Sequence, residues 1–266
     1  MQRTRESHVS AIQAFQRGKY VYLAIPKNGL CTHSEFFLRK GWTPRHIWEW
    51  GHNSTADLVF FSHIRDPYNR YAKGLVQSLK NADLIPEFLE RMKKDPTYLR
   101  YVLTSVNDDH TSPISEMFPP TISPFQVNWI PMDHPNPKWT SDFLTNQFFR
   151  EYNLPYKLTL KDRTHVSDKH HRKVQDFIKN KIYNSRNGNP REGYGFFYTT
   201  VLSKDMVLYK HVMRQYKSKE AFYNDVFLEE FPDIPKGQAW WYPSKDDIEI
   251  KKPPLDKNRP AILKAL

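Results

Sequence analysis

The chain has 266 residues, 39% of them hydrophobic and 15% aromatic, enough to bury a core of domain size. Lysine and arginine number 40 against 29 carboxylates, and the resulting +11 makes a surface that attracts phosphate, sulfate, nucleic acid or acidic glycan. A single cysteine, Cys31, excludes an internal disulfide framework and a cysteine-based zinc site, and it fits a reducing compartment.

In chain order, the N-terminal segment MQRTRESHVSAIQAF lacks an apolar run long enough for a signal peptide or anchor. A cytoplasmic protein without a membrane span is therefore expected, with the sequon at Asn53 unused. Tyr20–Ile25 (YVYLAI) and Leu58–Ile64 (LVFFSHI) are short apolar runs rich in β-formers, each reading as a buried strand of a central parallel sheet flanked by helices. Between them, Thr32 with Glu35 three residues on makes a capping-box pattern, Gly41 stops that helix, and Arg45–Trp50 reads as a second strand. After Ile64, Asp66 suits an N-cap and Pro67 the first helical position, so Tyr68–Leu79 continues as helix.

Asp95–Trp139, rich in proline, serine, asparagine and aspartate, reads as loops with short helices forming a substrate-facing wall. Ser141–Tyr152, Lys169–Tyr183 and Ser203–Tyr216 carry helical patterns, and Tyr156–Leu160 reads as a late strand. Asn184–Gly195 is a basic, glycine-bearing loop. Residues 1–235 thus make one α/β domain, and 236–266 a tail rich in proline and lysine with few core-forming residues.

Two anion sites follow from this pattern. Lys27 stands just past the carboxyl end of the first strand and Arg65 just past that of the later one, and parallel strands put those ends on one edge, where α/β proteins bind ligands. Each cation is followed by a helix start, whose free N–H groups and positive dipole end favour a phosphate or sulfate. Asn28 and Gly29 let the backbone turn tightly, and Arg70 and Lys73 extend the second site along one helix face.

The segments IPKNGLCTHS and SHIRDPYNRYAKGL resemble the two cofactor signatures of sulfotransferases that use 3′-phosphoadenosine 5′-phosphosulfate, and are closest to the carbohydrate-type branch. Pro26, Lys27, Gly29 and Thr32 match the P-K-x-G/A-x-T/S-S/T loop; Arg65, Asp66, Pro67 and Arg70 match R-D-P-x-x-R-x-x-S. Weaker likenesses are FQVNWIPM (Phe125–Met132) and THVSDK (Thr164–Lys169). The resemblance implies a P-loop nucleotide-hydrolase-like sulfotransferase fold. In it Lys27, Asn28, Gly29, Leu30, Cys31 and Thr32 cradle the 5′-phosphosulfate, and Arg65, Arg70 and Lys73 meet the 3′-phosphate. It further implies transfer to a hydroxyl, of a sugar or glycan in that branch, with 3′,5′-diphosphoadenosine as product and no metal. Two departures stand out: Lys73 replaces the usual serine, and Leu30 and Cys31 replace small or hydroxylated residues.

Sulfuryl transfer needs a cation at the leaving oxygen and a base for the acceptor. Lys27 takes the first role. For the base the family uses Glu or His after the first helix, where Glu49 and His52 lie here; histidine titrates near neutrality, whereas glutamate would need burial. His33 and His63 read as cofactor-loop and strand-packing positions. Trp129, Trp240 and Trp241 read more readily as core than as stacking platforms. The competing readings are a basic polyanion or nucleic-acid binder, for which no module signature is visible, and a nucleotide kinase of related fold.

Overall fold

The computed structural model describes residues 12–28, 30–50, 55–95, 98, 102, 110–135, 139–159, 172–178 and 202–219. The two apolar runs form strands β2 (Tyr20–Ala24) and β4 (Val59–Ile64) and pair in parallel, as their composition predicts. Three further strands join them: β1 (Gln13–Arg17), β3 (Thr43–His46) and β5 (Asn128–Pro131). The five-stranded order is β3-β1-β2-β4-β5.

The sheet is mixed, which corrects the expectation of a parallel one. Of its four pairings, β2–β4 and β4–β5 are parallel, whereas β1–β2 and β1–β3 are antiparallel. The physical cause is the two-residue turn at Gly18-Lys19: Gly18 at φ +57° takes the left-handed geometry of a tight hairpin, which folds β1 back along β2. Both edge strands contain a proline, Pro44 in β3 and Pro131 in β5, and proline is tolerated at an edge because one side of the strand makes no ladder bonds.

Among the described residues five long helices surround the sheet, α1 (Leu30–Arg39), α2 (Pro67–Asn81), α3 (Ile85–Lys94), α4 (Ser141–Glu151) and α5 (Ser203–Ser218), and residues 172–178 are also helical. Gly41 ends α1 as predicted. At φ +75° it lets its own N–H reach Leu38 O and Trp42 N–H reach Phe37 O, and the Phe37 and Trp42 rings close the cap at 4.6 Å. Asp66 caps α2, its Oδ1 accepting Asn69 N–H at 3.0 Å, with Pro67 at the first helical position.

Alternation along β4 divides the core. Phe61 stacks on Phe148 of α4 at 4.6 Å and His63 meets α4 at Thr145, while Phe60 meets Trp50. Phe36 and Phe37 of α1 join the same aromatic layer as Phe61, against Tyr22 and Phe149. A second cluster, including Tyr71, Leu75, Phe88, Val174, Ile178 and Leu202, ties α2 to α3 and to residues 172–178.

Three local expectations change. Helix α1 begins at Leu30, so Thr32 lies within its first turn and the capping box with Glu35 is not at the start. The strand expected over Arg45–Trp50 is split: β3 ends at His46, and Ile47–Trp50 is a 3-10 turn. Tyr156 to residue 159 runs without strand pairing. The loop Asn184–Gly195, the segment Thr164–Lys169, the sequon at Asn53, Trp240, Trp241 and the C-terminal tail lie outside the described residues.

Candidate functional site

The strand ends converge as the pattern requires. Past β2, Ile25 O accepts Asn28 N–H at 3.1 Å, closing a four-residue turn with Pro26 and Lys27 at its centre. Lys27 has φ +64°. A turn with proline second and a left-handed residue third is the type II pattern, which normally places glycine where Lys27 stands. A lysine in that geometry costs about 1–2 kcal/mol. The tight bend that the sequence assigns to Gly29 is therefore made at least in part by Lys27; Gly29 lies outside the described residues.

Two arginines hold the turn. Arg65, just past β4, donates Nε to Lys27 O at 3.0 Å, and Arg70, one turn into α2, donates Nε to Pro26 O at 3.3 Å. Consecutive carbonyls of one turn are thus gripped by the two arginines of the R-D-P-x-x-R segment. From the same turn, Lys27 Nζ reaches Gln77 Oε1 on α2 at 3.3 Å.

The arginines differ in environment. Arg70 is 1% exposed, donates Nη1 to Ser112 O at 2.8 Å, and pairs with Asp205 of α5, itself fully buried, at 3.7 Å. Burial raises the Asp205 carboxyl, against the pull of Arg70 and of the Ile114 and Ser115 N–H groups it accepts. The predicted phosphate ligand Arg70 is therefore placed inside the protein, with its donors on protein acceptors. Gly74 makes this possible: a Cβ there would lie 2.1 Å from His110 O, so only glycine lets the chain leading to Ser112 pass so close to α2.

Arg65 keeps 12% side-chain exposure and reaches Asp133 Oδ1 with Nη1 at 3.3 Å. Asp133 stands two residues past β5, the third parallel strand end on this edge. Lys73 is half-buried on α2, and Leu30, Cys31 and Thr32 make the first turn of α1, where backbone N–H groups have no partner within the helix.

Asn28 is fully buried, and neither its Oδ1 nor its Nδ2 has a hydrogen-bond partner. An amide buried this way costs about 1–3 kcal/mol.

No family model, curated protein or solved structure matches this chain. The site therefore rests on its own geometry. Among the described residues no group of three or more His, Cys, Asp or Glu is placed to hold a metal ion, and no helix is long and apolar enough to cross a membrane.

The remaining candidates fall outside this cluster or beyond the described residues. Glu49 is exposed, pairs with Arg45 at 3.3 Å and accepts His46 N–H at 2.9 Å, closing its own 3-10 turn; His52 lies outside the described residues. Trp129 is core, its Nε1 donating to Pro124 O at 2.7 Å. His33 lies in the first turns of α1, as Leu30, Cys31 and Thr32 do, and stacks on His63 with ring centres 3.7 Å apart. Thr145 Oγ1 donates to Ser141 O at 2.6 Å, so at 2.8 Å it accepts from His63 Nε2, which leaves Nδ1 to accept from Tyr22 Oη at 3.3 Å. His63 is thereby held neutral; burial foremost, then His33 and Arg65, push its pKa well below the ordinary histidine value.

Sequence reasoning missed Asp133, Asn69 and Asp205. For Asp133 a signal exists in the sequence, since it follows the apolar run NWIPM, which holds β5, as Arg65 follows LVFFSHI.

Proposed function

We propose that the chain is a sulfotransferase that moves a sulfuryl group from 3′-phosphoadenosine 5′-phosphosulfate to a hydroxyl, with a sugar or glycan as acceptor. The observation that carries this reading is the contact between Arg65 Nε and Lys27 O at 3.0 Å, which joins the two signature segments at neighbouring parallel strand ends, each leading into a helix. Support also comes from the positive-φ Lys27 and the buried, unpartnered Asn28 side chain in one turn, where the Lys27 ammonium and Asn28 Nδ2 are donors that gain from an anion with acceptor oxygens beside them.

In this reading the phosphosulfate lies over the first turn of α1. Lys27 swings from Gln77 to neutralise charge on the bridging oxygen as the bond from sulfur to that oxygen breaks and the acceptor oxygen bonds to sulfur. Arg65 and Lys73 take the distal phosphate, and Arg70 acts by holding Pro26. The acceptor proton passes to Glu49 or His52, and the pH–rate profiles of Glu49→Gln and His52→Asn distinguish them.

The test is incubation with the sulfate donor and a panel of glycans, metabolites and peptides, scored by sulfuryl mass gain. Calorimetry with 3′,5′-diphosphoadenosine, ATP with magnesium, and single-stranded DNA accompanies it. Binding of the bisphosphate alone is expected; preference for ATP with magnesium assigns a kinase, and preference for DNA a polyanion binder.

A further inference from the structure

Three donors around the proposed distal-phosphate site, Lys73 not among them, are met within this chain by one carboxylate. Asp133 Oδ1 accepts Arg65 Nη1 at 3.3 Å, while Oδ2 accepts Asp66 N–H at 3.3 Å and Asn69 Nδ2 at 3.1 Å. Asp66 caps α2 and Asn69 lies in its first turn, so the carboxylate faces the positive end of the helix with a guanidinium beside it. Asn69 is fixed from behind, its Oδ1 accepting Gln175 Nε2 at 2.9 Å. A guanidinium, a backbone N–H and a side-chain amide converging on two oxygens describe an anion site, and the anion in it is Asp133.

Three features argue that this carboxylate is exchangeable. Its side chain is 26% exposed, unlike the fully buried Asp205. Its contacts, at 3.1–3.3 Å, are longer than the roughly 2.7–2.9 Å of tight charge-assisted bonds. It also carries one charge where a phosphate brings nearly two. Serving as the proton acceptor suits it poorly, since three donors already cover its oxygens.

We propose that Asp133 is an internal competitor for the distal phosphate and a specificity-determining residue of the site. A nucleotide with a 3′-phosphate displaces the carboxylate and takes over Arg65, Asp66 N–H and Asn69. A nucleotide without that phosphate leaves Asp133 in place and gains nothing from these donors. The proposal rests on the sulfuryl-transfer reading, because it takes the distal phosphate to bind at Arg65.

The experiment compares wild type, Asp133→Asn and Asp133→Ser by calorimetry with 3′,5′-diphosphoadenosine and with 5′-AMP, after thermal unfolding shows which variants are folded. Both substitutions remove the charge, and the serine keeps the argument testable if the asparagine variant does not fold. The bisphosphate is expected to bind about tenfold more tightly to the variants, the effect of one screened charge a few ångströms away. Affinity for 5′-AMP is expected to stay unchanged. Unchanged or weaker bisphosphate binding by the variants, with wild type still binding it, overturns the competitor role and makes Asp133 a residue that orients Arg65. Absence of bisphosphate binding in every form overturns the sulfuryl-transfer reading, and this inference with it.

Discussion

The two strand ends that resemble each other in sequence are opposite in energetics. The turn after β2 holds a lysine at φ +64° and a fully buried amide whose polar atoms have no hydrogen-bond partner. The segment after β4 has its needs met: Asp66 caps α2, Asp133 covers Arg65 and Asp66 N–H, and Arg70 is enclosed with Asp205. Strain and an unmet polar group are stored at one end, and the other acts as the clamp that maintains them, through Arg65 on Lys27 O and Arg70 on Pro26 O. A cation after a strand is therefore not enough to assign a ligand contact; where its donors go decides between ligand and brace.

The sharpest break in the comparison is at Lys27. Lys27→Ala is expected to lower the turnover of the proposed sulfuryl transfer about 10²–10³-fold, the range for losing one charge-stabilising group in the transition state, while the protein stays folded. Wild-type turnover by a folded variant removes the catalytic assignment.

Next is the clamp. Asp205→Ala leaves the Arg70 guanidinium buried beside a missing partner and frees the Ile114 and Ser115 N–H groups, and a loss of about 3–5 kcal/mol is expected in urea unfolding. A loss under about 1 kcal/mol would show that the interior pair is not what fixes Arg70.

A smaller effect is expected from the stacked histidines behind the site. His63 is held neutral, with its pKa depressed by burial, His33 and Arg65; Tyr22 and Thr145 occupy its two ring nitrogens. The unfolded chain takes up this proton near the ordinary value and the folded chain does not. Stability from this group is thus full above about pH 6.5 and declines as pH falls below it. Unfolding midpoints of wild type and His63→Gln between pH 8 and 5 check this, the variant being expected to decline less.

How much of this could be read from sequence follows from the range of the interactions. YVYLAI and LVFFSHI were legible because a strand buried on both faces is apolar throughout, and Asp66-Pro67 because a cap is a local device. Strand β1, QAFQR, was not legible, since two apolar residues among glutamines carry no period, and the antiparallel half of the sheet was lost with it. The start of α1 moved from Thr32 to Leu30 because the turn bond at Asn28 completes the loop earlier than the capping pattern implied. Arg70 matched its motif yet became a brace, because its partners Ser112 and Asp205 come from distant segments that no local pattern names.

The smallest prediction separates strain from chemistry within the turn. Lys27→Gly and Lys27→Ala both remove the ammonium and its bond to Gln77, so any proposed transfer activity is expected to fall alike in both. They differ in backbone cost: alanine keeps the left-handed penalty of about 1–2 kcal/mol, while glycine escapes it but enlarges the unfolded ensemble by about 0.5–1 kcal/mol. The glycine variant is therefore expected to be the more stable of the two by about 0.5–1 kcal/mol. Equal or reversed stabilities would mean that the turn does not hold residue 27 at φ +64° in solution, and the contrast between a strained end and a satisfied end would then rest on Asn28 alone.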